Sequence, residues 1–195
     1  MPYPRRRVSP HTGLTLAEGF ICGLAAGVVA GRLAPPLFAM AWGTGRVAAG
    51  GDPLAVLIAD HRHFLSLLTD MEESRDNQRL RRIQLLLRLK RRLAAHALAE
   101  EDVVYPLLQA ETEAQQDATQ LYAEHAAMKV LLFRLEQKVA HGIDWADEVS
   151  KLRMLIATHA RHEEEVDFPR LRDTLENGAR VTLARKISRE KALIL

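Results

Sequence analysis

HALAEEDVVYPLL, residues 96–108, and HARHEEEVDFPRL, residues 159–171, are two versions of one pattern. Each opens on a histidine, places a glutamate four residues later, runs on into further acidic residues and ends at an aromatic-proline pair. A spacing of four puts imidazole and carboxylate one turn apart on the same face of a helix. A second pair of segments repeats upstream of these: DHRHFLSLL, 60–68, matches EHAAMKVLL, 124–132. His61 and His125 are 64 residues apart and His96 and His159 are 63 apart, so one helical hairpin occurs twice.

Working outward, apolar residues recur at three- and four-residue spacing from position 53 onward, and strand-like alternation is scarce. The pattern predicts helices over 53–74, 78–104, 113–141 and 145–167. The breaks are SRDNQ after the first, Pro106 near the end of the second, HGIDWAD between third and fourth, and Pro169 closing the last. Asp52 and Asp144 are candidate N-caps, Pro53 suits a first helical position, and ENG at 176–178 is a stop. Short connections force neighbouring helices antiparallel, so the expected fold is all-α, an up-down-up-down four-helix bundle. The expected organisation is an N-terminal segment and linker over 1–51, the bundle over 52–176 and a C-terminal tail over 177–195.

Composition narrows the chemistry. Of 195 residues, 48% are hydrophobic and 27% charged, the balance of a folded domain, and a formal charge of +2 argues against a dedicated nucleic-acid binder. The basic run RLRRIQLLLRLKRRL, 79–93, reads as a solvated face with snorkelling stems opposite Ile83, Leu86, Leu87 and Leu93. Cys22 is the single cysteine, which excludes an internal disulfide and a cysteine-held zinc or iron-sulfur site. Any metal must be held by nitrogen and oxygen.

The repeat singles out those donors. His96 with Glu100, and His159 with Glu163, point at one spot if the hairpins pack around a pseudo-twofold axis, and His61 and His125 add one imidazole each. A lone inward histidine is usually an ordinary core residue, and a lone His-x-x-x-Glu pair is often a solvated pairing. Two hairpins sharing both at matching positions are hard to explain that way, and they imply a dinuclear site in the bundle core. His63 aligns with Ala127 and His162 with Ala99, outside the repeated set; His162 is kept as an optional extra ligand. His11 and His141 read as ordinary. Glu101 and Glu164 recur and are candidates to orient a ligand imidazole. Tyr105 matches Phe168, which favours packing over a redox role. Six mixed nitrogen and oxygen ligands for two metals favour iron or manganese over zinc and leave coordination positions for small ligands.

ADH at 59–61, HALAEEDVVYP at 96–106, EH at 124–125 and HARHEEEVDFP at 159–169 together resemble the hemerythrin-like, or HHE cation-binding, domain family over about residues 53–175. The resemblance implies a bundle holding two non-heme irons bridged by carboxylates, with His61, His96, Glu100, His125, His159 and Glu163 at the ligand positions and Glu100 and Glu163 bridging. The chain departs from the hemerythrins proper at one place: four residues after His125, where they carry a further histidine, stands Lys129. That puts reversible oxygen carriage in doubt. The expected function is binding of O2 or NO for sensing, scavenging or storage, rather than enzymatic turnover. The alternatives are a peroxidase- or catalase-like or NO-reducing enzyme, and a metal-free helical interaction module. A redox or signalling partner is expected but unnamed.

The N-terminal segment differs from the rest. Arg5, Arg6 and Arg7 precede an apolar stretch with glycines at 19, 23, 27 and 31, a ladder that lets helices approach closely. The uninterrupted apolar run, Phe20 to Gly31, is short of the roughly 20 residues that span a bilayer. Three readings compete: membrane association through residues 14–42, a soluble helix packed on the bundle or another subunit, and a cleaved export signal. The bundle itself is expected in the cytoplasm, membrane-associated through that segment or fully soluble.

Overall fold

A computed structural model describes residues 51–75, 77–112 and 115–195. The expectations for the N-terminal appendage lie outside the described residues. Among the described residues the chain is helical throughout, without strands: α1 Ala55–Glu72, α2 Arg79–Ala99, a π-helical turn Glu100–Val104, α3 Tyr105–Thr112, α4 Gln115–His141, α5 Ala146–His162, a second π-helical turn Glu163–Asp167, α6 Phe168–Thr174 and α7 Asn177–Ile194. The helices α1, α2, α4 and α5 close a ring, with α1 against α2 and α5, and α4 against α2 and α5. No helix among the described residues is long and apolar enough to cross a membrane.

Local chemistry explains the joints. Asp52 accepts a hydrogen bond from the Leu54 backbone at 3.0 Å and pairs with Arg172 at 2.6 Å, tying the start of α1 to α6. The end of α4 closes on Gly142 at φ 67, with Ile143 N–H reaching back to the Lys138 carbonyl at 2.9 Å, a turn whose left-handed residue favours glycine. Asp144 then accepts from the Ala146 backbone at 3.2 Å at the start of α5. Trp145, beside it, is fully buried, with the Arg82 guanidinium 4.9 Å from its ring centre. Arg82 is therefore the exception to the solvated basic face: it is buried and its guanidinium donates to Ser74 in the α1–α2 joint. Leu87, expected inward, is exposed, and Leu85 and Leu89 take the core positions beside Leu86 and Leu93.

The prolines do not end their helices as expected. The helical path runs on through Pro106 and Pro169 because a π turn precedes each. A proline lacks an N–H and its ring collides with the carbonyl four residues back in an α-helix; those carbonyls belong to Asp102 and Glu165, inside the two widened turns. The tail assigned to 177–195 contains α7, which packs along α2 and buries Leu183, Ala184 and Ile187.

Two apolar clusters fill the interior. One runs from Phe64, Leu68 and Met71 through Leu89, Leu132 and Trp145 to Leu152 and Ile156. The other gathers Leu57, Ala99, Tyr105, Leu108, Leu121, Phe168, Leu171 and Ile187. Along α1, α2 and α4 the passage from one cluster to the other falls on a buried polar residue: His61 lies between Leu57 and Phe64, His96 between Leu93 and Ala99, and His125 between Leu121 and Met128.

Candidate metal centre

His61, His96, Glu100, His125, His159 and Glu163 are all at most 2% exposed and lie together in this polar layer. Their contacts follow the repeat. His61 Nε2 is 3.1 Å from His96 Nε2 and 3.2 Å from Glu163 Oε2. His125 Nε2 is 3.3 Å from both His159 Nε2 and Glu100 Oε2. His96 Nε2 is 3.0 Å from Glu100 Oε1, and His159 Nε2 is 3.4 Å from Glu163 Oε2.

Each ring turns its other nitrogen to a carboxylate. His61 Nδ1 meets Glu164 at 2.8 Å and His125 Nδ1 meets Glu101 at 2.8 Å; His96 Nδ1 meets Asp60 at 3.3 Å and His159 Nδ1 meets Glu124 at 2.8 Å. These four pairs obey the same pseudo-twofold relation as the helices, since Glu101 corresponds to Glu164 and Asp60 to Glu124. An imidazole that donates Nδ1–H outward presents a lone pair on Nε2, the form that ligates metals, and the carboxylate fixes its orientation. In that tautomer the four Nε2 atoms would converge as lone-pair donors.

The residues fit a metal on that ground and on a second one. Glu100 Oε1 and Glu163 Oε2 are buried and receive no hydrogen bond, an arrangement that is costly unless a cation supplies what a donor would. Donor atoms of His61, His96, His159 and Glu163 all lie within 4.8 Å of one another, as do those of Glu100, His125 and His159. Ligands that each sit about 2.1 Å from a shared ion are at most about 4.2 Å apart, so these groups lie close to the span an ion needs. A proton competes with metal at His96: burial disfavours it, but the Glu100 carboxylate, with Asp60 and Glu163, overrides burial and lifts His96 to about 10, so metal binding there displaces a proton. Burial likewise opposes ionisation of Glu100, and His96 and His125 hold it well below the usual carboxylate range.

The π turns complete the layer. In an ordinary α-helix a residue five positions on points about 140° away, yet the Tyr105 hydroxyl returns to Glu100 Oε2 at 3.3 Å across the first π turn. It also donates toward Glu163 Oε1 at 2.9 Å and lies 3.1 Å from His125 Nε2. The packing role expected for Tyr105 is thus only half of its placement. Its counterpart Phe168 does pack, stacking on His61 at 6.2 Å between ring centres.

His162 is not brought to the layer; it is 37% exposed and its Nε2 is 3.4 Å from Asp167. Lys129 is exposed and reaches outward to Glu101 at 3.0 Å, so it supplies the site no nitrogen. Two residues escaped the sequence reading. Asp167 is buried where the repeat has Val104, a mismatch visible in the aligned motifs. Lys191, on α7, ion-pairs with Asp60, and nothing in the repeat points to it.

An all-helical bundle enclosing a buried His/Glu cluster of this kind belongs to the class of metal-binding helical proteins. Residues 38–171 match the hemerythrin HHE cation-binding domain, and the chain belongs to that family. It is also 30% identical over 122 residues to a DNA nickase from Nostoc sp., a match covering 63% of this chain and 34% of that protein, so the chain spans about a third of that relative. No solved structure matches.

Proposed function

We propose that the chain is a non-heme diiron protein, an up-down-up-down bundle that binds O2 or NO for sensing, scavenging or storage. The observation that carries this reading is the set of four imidazoles, each held at Nδ1 by a carboxylate and aimed through Nε2 at two buried glutamates that receive no hydrogen bond at one oxygen. His61, His96, His125 and His159 would supply nitrogen, and Glu100 and Glu163 bridging carboxylate. Bound iron would supply an electron-rich centre with positions open to a small ligand, and manganese suits the same donors. Glu164, Asp60, Glu101 and Glu124 keep the rings oriented. Elemental analysis of protein from iron-supplemented cells tests the reading: about two irons per chain are expected for paired half-sites, and metal-free protein would point instead to a helical interaction module.

One observation favours an enzymatic reading beside it. The Tyr105 hydroxyl lies within hydrogen-bonding distance of Glu100, His125 and Glu163, and burial followed by those two carboxylates pushes its pKa well above the ordinary value. It is therefore a protonated phenol placed to deliver a proton or hydrogen atom to a ligand such as peroxide. If the protein turns over peroxide, Tyr105→Phe is expected to slow it by about 100-fold or more with iron content unchanged; equal rates would remove Tyr105 from the reaction. The name of the Nostoc relative adds DNA cleavage as a rival, checked by relaxation of supercoiled plasmid with iron-loaded protein. A gas-binding protein of this kind is expected to cleave none, with the bundle in the cytoplasm, any membrane association through residues 14–42 and any output through a redox or signalling partner.

A further inference from the structure

The near-neutral total charge of the chain conceals a one-sided distribution. Helices α2 and α7 pack along each other. Between them α2 carries seven lysines and arginines and no acidic residue, and α7 carries five and one, Glu190, in a chain whose totals are 27 and 25. The longer α4 carries three of each sign. Arg82 and Lys191 turn inward; the other basic groups of the two helices surround their outer face.

That face also holds aliphatic side chains. On α7 the exposed Arg185, Lys186, Arg189 and Leu193 recur at helical spacing along one stripe, opposite the buried Leu183, Ala184 and Ile187. On α2 the exposed Leu80, Leu87 and Arg91 form a similar stripe opposite Leu89. Arg91 joins the two, because its Nε donates to the Ile194 carbonyl at 3.2 Å and so sets the last turn of α7 beside the turn of α2 next to Leu87 and Arg88. At that junction Leu87 is 58% exposed, Leu193 68% and Ile194 39%. Among the described residues, Arg88, Arg185, Lys186 and Arg189 form no ion pair.

The combination selects a partner. Unpaired arginines call for dense negative charge, and leucines standing out among them gain only by leaving water. A second copy of this face would bring the same positive charge and repel. A nucleic-acid backbone would match the charge but leave the leucines wet, and neither α2 nor α7 has an aromatic side chain on which a base could stack. An anionic lipid surface satisfies both, with headgroups for the arginines and the acyl boundary for the leucines.

We propose that the α2–α7 face of the bundle docks on an anionic lipid surface, with Arg88 and Arg189 at the headgroups and Leu87, Leu193 and Ile194 entering the acyl boundary. This contact belongs to the bundle itself, beside any made by residues 14–42, and does not depend on what the metal centre binds.

Co-sedimentation of the full chain with vesicles of phosphatidylglycerol and phosphatidylcholine, and with vesicles of phosphatidylcholine alone, tests it. Binding is expected on the anionic vesicles and is expected to weaken as salt is raised. Arg88→Ser and Arg189→Ser should each lower affinity about fivefold, and Leu193→Ser at least about tenfold. All three positions are exposed, so the variants should keep the native melting temperature. Arg134→Ser, on the exposed side of α4, should bind as the native chain does. The proposal is overturned by absence of binding to anionic vesicles, or by equal binding to neutral ones. Native affinity in Leu193→Ser, or in both arginine variants, also overturns it and moves the contact to residues 14–42. Duplex DNA provides the last arm: a chain that shifts DNA but leaves anionic vesicles at the same salt has a nucleic-acid partner and not a lipid one.

Discussion

Glu163→Gln should remove most of the thermal stabilisation that metal confers. If the native chain binds ferrous iron as proposed, the ion at about a thousandfold over its dissociation constant would add ~4 kcal/mol per site to the folded state. Each kcal/mol moves the midpoint of a chain of this size by about 2–4 °C, so filling one site should raise Tm by about 8–16 °C. Glu163 is central to that gain: its Oε2 lies 3.2 Å from His61 Nε2 and 3.4 Å from His159 Nε2, so it joins rings from two helices. Glutamine keeps the shape and can still face Tyr105, but it carries no charge to neutralise a cation. Differential scanning calorimetry of both proteins, stripped of metal and then reloaded, reads the difference. A metal-induced rise that survives in the variant would exclude Glu163 as a ligand.

Lys191→Met should weaken both the fold and the metal site. Lys191 and the Asp60 carboxylate it pairs with are 10% and 13% exposed, and Asp60 also holds His96 Nδ1. Removing one partner of a buried pair commonly costs about 3–5 kcal/mol; Asp60 keeps its histidine, so about 2–4 kcal/mol is expected here. Burial raises the pKa of Asp60, and His96 and Lys191 together bring it below the ordinary value. Its ionised form therefore stabilises the fold above the unfolded carboxylate range, and that contribution fades as pH falls through the lowered value. Loss of an outer partner of this type typically weakens metal binding by about 10–100-fold. Ile187→Ala, on the same helix, provides the contrast: it should cost about 2–5 kcal/mol through packing alone and leave iron affinity unchanged. Urea midpoints and competition with a chelator separate the two effects. If Lys191→Met and Ile187→Ala weaken iron binding equally, α7 acts only as a cover.

Much of this was legible in the residues because a repeat compares the chain with itself. His61, His96, His125 and His159 stood out from the other histidines by recurring in register, and they occupy one layer, whereas His162, which does not recur, lies outside it. The same logic pointed to Glu101 and Glu164 as orienting groups. The repeat was silent where the halves differ. Lys191 has no counterpart, so its ion pair with Asp60 follows only from how α7 lies on α2. Helix boundaries failed at Pro106 and Pro169 because proline was taken as a terminator, while a π turn absorbs its missing N–H and keeps the helix going. That added residue is also what turns Tyr105 toward Glu100, which helical spacing of four could not anticipate.

The polar layer has a mechanical consequence. It parts the interior into two apolar blocks that touch each other mainly through imidazole and carboxylate. Apolar packing alone then leaves each block nearly a folding unit of its own, and the groups between them attract a cation more readily than one another. Metal bound there would act as a rivet, making the opening of either end a matter for both. Occupancy of the centre thus decides whether the bundle breathes as two halves or melts as one.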